Sequence, residues 1–120
     1  MKNALVALAG AAGALARYQV TLSVGVRSFP WSTLGINLAG SFLLGLVLKA
    51  GIDRGWPETT MLPLGMGFLG AFTTFSTFSA ETHVLLRDGR AGTAAIYVAA
   101  SVLGGVLAAA AGYTLARTFG

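Results

Sequence analysis

Four stretches of the chain are each long and apolar enough to cross a lipid bilayer, and together they occupy nearly all of it. A helix needs about 20 largely apolar residues to cross roughly 30 Å of hydrocarbon. The first stretch runs from about Ala4 to Val26 and is interrupted only by Arg17. The second runs from Thr33 to Ile52 and is closed by Lys49, Asp53 and Arg54. The third extends from about Met61 to Leu86, and the last from about Gly92 to Ala116, ending at Arg117. Between them lie Phe29-Pro30-Trp31, a loop from Gly51 to Glu58 with Trp56 and Pro57, and the polar turn Arg87-Asp88-Gly89-Arg90. Connections this short leave no room for a second domain. The expectation is an all-α membrane protein, one four-helix transmembrane domain over residues 1–120.

The composition excludes the other broad classes. Charged residues are 10% of the 120 positions, against about 25% in a soluble domain, while 55% are hydrophobic and 17 are glycine. With a mean hydropathy of +0.75, a soluble globule of this size would lack the polar surface to cover itself. Disordered chains are poor in apolar residues, so disorder is excluded as well. The chain has no Cys, which removes disulfides, thiolate metal sites and cysteine catalysis. A net charge of +4 would suggest nucleic acid in a soluble protein, but the eight Lys and Arg are thinly spread and flank the apolar runs.

Lys2 followed by a small apolar run and Ala14-Leu15-Ala16 has the look of a cleavable leader. The run continues past Arg17 through Val20, Leu22 and Val24, which fits a retained first helix better. Orientation is nearly balanced. Lys2, Lys49, Arg54 and Arg117 lie on one side, and Arg27, Arg87 and Arg90 on the other, four against three. The excess of Lys and Arg that normally marks cytoplasmic loops is therefore too small to fix an orientation. A chance near-tie and insertion in both orientations, with pairing as an antiparallel dimer, both fit that count.

Polar residues inside the spans recur at helical spacing. Thr33, Asn37 and Ser41 stack on one face of the second span, and Thr93, Tyr97 and Ser101 on one face of the fourth. An unpaired Asn37 amide in lipid would cost several kcal/mol, so it either lines a pathway or bonds a neighbouring helix. Gly104, Ala108 and Gly112 form a small-residue ridge suited to close packing. The third span reads Gly65-Met66-Gly67-Phe68-Leu69-Gly70-Ala71-Phe72-Thr73-Thr74-Phe75-Ser76-Thr77-Phe78-Ser79. Glycines followed by β-branched threonines make a poor continuous helix, so a break near the bilayer midplane is expected. Freed carbonyls suit cations and freed amide ends suit anions, beside a cavity or within protein. Phe75 and Phe78 are one turn apart, and aromatic ring edges are electropositive. Arg17 is a costly intramembrane cation, a vestibule or structural charge, or a snorkelling side chain. Glu81 marks a pathway mouth or a wet helix end, and His83 has no second ligand at metal spacing. No nucleophile–base pair, phosphate loop or carboxylate dyad is present, so an enzyme is not expected.

Three ordered motifs resemble the CrcB/Fluc fluoride channel family. They are Gly10-x-x-Gly13-Ala14-x-x-Arg17-Tyr18, then Thr33-Leu34-x-x-Asn37-x-x-Gly40-Ser41-Phe42, then Gly67-Phe68-x-Gly70-x-x-Thr73-Thr74-Phe75-Ser76-Thr77-Phe78-Ser79-x-Glu81. The resemblance covers three of the four spans, and the length and helix layout agree throughout. It implies a fluoride-selective channel of the bacterial plasma membrane that lets cytoplasmic fluoride leave passively and so relieves its toxicity. It also implies a dual-topology homodimer with two antiparallel pores and a central sodium ion, structural and not transported. By motif position, the sodium carbonyls fall on Gly70 and Thr73, and the pore phenylalanines on Phe75 and Phe78. The pore asparagine falls on Asn37 and the polar track on Tyr97 and Ser101, with Ser76 and Thr77 in the same motif as the phenylalanines. The chain departs from the family pattern at Ala71, where a second Gly is common, and at Gly105, where another track hydroxyl is expected.

Two other classes share the gross layout. A small multidrug exporter also has four helices and dual topology, but needs a membrane carboxylate in its first helix, where this chain has Arg17 and no acid. A non-transporting scaffold subunit would explain the glycine ridges, but not polar tracks in two helices beside a broken third.

Overall fold

The computed structural model describes residues 1–118, and the regular elements among them are all helices. Helix α1 is Lys2–Val24 and α2 is Trp31–Arg54. The third span starts as α3, Glu58–Met61, widens into a π-helix over Leu62–Leu69 and tightens again into α4, Gly70–Phe72. After an interruption at Thr73 and Thr74 it resumes as α5, Phe75–Arg87, and α6 is Ala91–Thr118. The expected limits 4–26, 33–52, 61–86 and 92–116 thus stand beside elements that begin one to three residues earlier and end within two residues of them, on either side. All four spans are long and apolar enough to cross a membrane, so the chain is a multi-pass integral membrane protein.

The chirality of the turns is supplied by Gly25, Gly55 and Gly89, all at positive φ where a Cβ would be strained. Inside the spans glycine does something else. A Cβ on Gly13 would overlap the Phe68 carbonyl oxygen, and one on Gly112 would overlap the Phe42 carbonyl oxygen. Backbone therefore lies directly on backbone where α1 meets the π-helix and where α2 meets α6. Lipid tails are as apolar as leucine, so helices in a membrane associate through such close approach and not by hiding apolar area. Leu8, Leu15, Ile96, Leu103 and Leu107 accordingly remain exposed on the single chain.

The break in the third span lies half-way along Glu58–Arg87. Pro63 removes one N–H near the start of the π-helix, and Gly65, Gly67 and Gly70 impose no side-chain packing that would hold a tight coil. Thr73 (φ −83°, ψ 159°) and Thr74 (φ −150°, ψ 120°) are extended, the region that β-branched residues prefer. Thr74 then caps α5: its Oγ1 accepts from the Thr77 N–H at 3.2 Å. The π-helical stretch is a feature that the sequence pattern does not foretell.

A candidate anion pathway around the broken helix

A helix break inside a membrane leaves backbone groups that must find partners. Here the partners come from two other helices. The Asn37 side chain on α2 donates from Nδ2 to the Thr74 carbonyl at 3.0 Å, while its Oδ1 accepts from the Thr74 N–H at 2.9 Å. One amide thus replaces both hydrogen bonds that a continuous helix would have given Thr74. Arg17 on α1 donates from Nε to the Ala71 carbonyl at 3.1 Å. The intramembrane guanidinium is therefore held against the carbonyl end of α4, where the helix dipole favours a cation. It lines neither of the two cavities described below. α2 can approach because Gly40 lies under Thr73, where a Cβ would collide with the threonine methyl.

Hydrogen-bond partners also set Gly70 and Thr73 apart from their neighbours. In a continuous helix the Gly70 carbonyl would accept from the N–H of residue 74 and the Thr73 carbonyl from that of residue 77. The first of these donors is turned to Asn37 and the second to the Thr74 hydroxyl. Both carbonyls have lost their helical donors. The Thr73 hydroxyl is itself occupied, donating to the Leu69 carbonyl at 2.9 Å. Gly70 is exposed on the single chain, and Thr73 is half-buried. Among the described residues no group of three His, Cys, Asp or Glu side chains comes together.

Beyond the break, Phe75 and Phe78 stand one turn apart with ring centroids 5.8 Å from each other. Phe75 is 79% exposed on the single chain. Phe78 leans on the ring of Tyr97 from α6, at 5.1 Å. Tyr97 is wholly buried, with Phe29 set edge-on against it at 5.6 Å. Its hydroxyl donates to Glu81 Oε1 at 3.0 Å. Thr77 and Ser76 both contact the Thr74 hydroxyl, at 3.2 and 3.3 Å. Ser101, one turn beyond Tyr97, carries a buried hydroxyl that has no hydrogen-bond partner among the described residues.

Two cavities lie beside these groups, though Phe78, Tyr97 and Ser101 line neither of them. One, of about 260 Å³, is lined by Asn37, Ser41, Gly70, Thr73, Thr74 and Phe75, among others. The other, of about 540 Å³, opens at the α1–α2 turn and takes in Arg27, Thr33, Thr77, Glu81 and Arg90. The structure thus brings Asn37, Gly70, Thr73 and Phe75 to one cavity and Thr77 and Glu81 to the other. Phe78 and Tyr97 pack against each other, and Tyr97 contacts the second cavity's Glu81. Ser76 is on the outer face of α5, exposed apart from its contact with Thr74. Sequence reasoning does not single out Thr74, although a Thr directly before a helical run is a capping signal that marks it.

A model of the family described as CrcB-like protein, Camphor Resistance (CrcB), matches residues 4–113. The chain belongs to the CrcB-like family. Its relatives are similar in length as well as sequence. A protein of Symbiobacterium thermophilum named fluoride-specific ion channel FluC 1 is 46% identical over 121 aligned positions, covering 96% of this chain and 97% of the relative. One of Magnetococcus marinus named fluoride-specific ion channel FluC is 46% identical, covering 98% of each chain. Another of that name from Idiomarina loihiensis is 50% identical over 101 residues, or 82% of this chain and 78% of the relative. The matched residues include all three motifs of the first three spans.

Proposed function

We propose that the chain is a fluoride-selective channel that allows cytoplasmic fluoride to leave the cell passively, relieving its toxicity. The observation that carries the reading is the broken third helix with its donors and ring edges, in a chain whose relatives bear the name of fluoride-specific channels. It is a transport protein and not an enzyme. Fluoride is small and tightly hydrated, so a pathway must return hydrogen bonds as water is stripped. The second N–H of the Asn37 amide, the hydroxyls of Thr77 and Ser101 and the edges of Phe75 and Phe78 can do so in steps. None of these carries a formal charge, which keeps each site weak enough to release the ion. The wider mouth holds Arg27 and Arg90 together with Glu81 and Asp88, so its formal charges balance.

The working unit in this reading is a homodimer of two oppositely inserted copies with two pores, in keeping with the four-to-three loop charges. A twofold interface is self-complementary. Two copies that meet through their breaks present the Gly70 and Thr73 carbonyls to a common centre. Four oxygens freed of their helical donors suit a hard monovalent cation, and the proposed ligands of the structural sodium ion are these carbonyls. When bound, such an ion supplies positive potential near the anion path and fastens the subunits together. An exporter coupled to protons is not favoured, because α1 carries no carboxylate and its intramembrane cation, Arg17, is occupied by the Ala71 carbonyl.

Purified protein reconstituted into fluoride-loaded liposomes is expected to release fluoride when the membrane potential is clamped with an ionophore, with sodium present on both sides. A fluoride electrode reads the release. Efflux no faster than from empty liposomes would overturn the assignment.

A further inference from the structure

α2 and α6 run parallel and in a fixed register. A Cβ on Gly105 would lie 3.7 Å from the Ser41 Oγ, and one turn further on a Cβ on Gly45 would overlap the Ala109 carbonyl oxygen. Both pairs are 64 positions apart in sequence. Single turns in the other direction along both helices place Asn37 level with Ser101 and Thr33 level with Tyr97. The two stripes at spacing four are therefore the two sides of one ladder. Three of its rungs carry polar groups from both helices or one of them, and the fourth is closed by backbone lying on backbone.

The third rung is lopsided. α6 offers Gly105, which has no side chain, and α2 offers Ser41, whose hydroxyl faces the space so opened. Among the described residues the Ser41 hydroxyl makes no hydrogen bond, and the residue is half-buried. The next rung up holds the buried, unpartnered hydroxyl of Ser101. Ser41 also lines the 260 Å³ cavity together with Asn37, Thr74 and Phe75. Because Gly45 against Ala109 shuts the groove below, an ion descending the ladder has this cavity as its way onward.

Resting on the channel reading above, we propose that Ser41 is a pathway donor for the permeating anion: its hydroxyl stands in for the one that α6 lacks at Gly105. The anion passes from the level of Ser101 to the Ser41 hydroxyl and from there into the cavity beside Phe75. Free space on the α6 side lets the Ser41 hydroxyl turn toward the ion without displacing a neighbour.

A crossed pair of substitutions tests this in the same liposomes. Ser41→Ala is expected to slow fluoride efflux about ten-fold, the order of one hydrogen bond to a charged group. A Cβ at position 105 meets only ordinary van der Waals contact, so Gly105→Ser fits. Adding Gly105→Ser to Ser41→Ala is expected to restore efflux to within about three-fold of the unmodified chain, since a tenfold loss is the scale of one donor. A purely structural Ser41 would give no such rescue from the opposite helix. Unmodified protein that conducts while Ser41→Ala matches it, or a double variant as slow as Ser41→Ala, would overturn the Ser41 proposal alone. No efflux from the unmodified protein would overturn the channel reading first.

Discussion

Asn37→Ala is expected to abolish measurable fluoride efflux and to destabilise the folded protein by about 2–6 kcal/mol, because two backbone groups lose their partners at once. The Thr74 N–H and the Thr74 carbonyl both bond to this one amide. Each buried backbone group left unpaired costs about 1–3 kcal/mol, and no water from the bilayer core can replace the lost partner. Thermal unfolding in detergent and liposome efflux are read together. Asn37→Asp keeps an acceptor for the Thr74 N–H but loses the donor to the carbonyl and adds a negative charge, so it too is expected to block an anion. Unchanged stability for Asn37→Ala would show that the amide does not brace the break.

Phe75→Ile and Phe78→Ile are expected to separate conduction from folding. Phe75 is largely exposed on the single chain, and its ring contacts Phe78 at 5.8 Å. Its loss removes about 0.5–1.5 kcal/mol of aromatic pairing, yet efflux is expected to fall at least about ten-fold, the factor carried by roughly 1.4 kcal/mol of lost ion stabilisation. Phe78 also packs on Tyr97 at 5.1 Å, so Phe78→Ile is expected to cost both stability and flux. Isoleucine keeps the apolar bulk and loses the electropositive ring edge. In gel filtration both variants are expected to elute with the unmodified protein. Normal efflux from both would assign the rings to packing alone.

The parts of the fold that depend on local composition are legible in the sequence. Apolar runs define the spans, and the glycine and threonine run that ends at Thr74 announces a break because neither residue type sustains a helix there. The parts that depend on how helices align are not. Periodicity places Thr33, Asn37 and Ser41 on one face and Tyr97 and Ser101 on another, but nothing in either segment says that the faces meet. That follows from backbone contacts such as Gly45 against Ala109. Arg17 reads as an ionisable residue in a membrane, and its partner is a carbonyl 54 residues away. The π-helix is equally hidden, since Pro63 and the glycines that permit it permit ordinary helix as well. Gly105, a mere gap in the expected track, acquires meaning only from the Ser41 hydroxyl that faces it.

Selective passage of fluoride along donors that carry no formal charge is the central claim. Its most direct test is the reversal potential of purified channels in a planar bilayer with fluoride on one side and chloride on the other. The reversal potential is expected to follow the fluoride gradient and to stay fixed when chloride is varied. A potential that tracks chloride, or equal currents for the two ions, would contradict the claim.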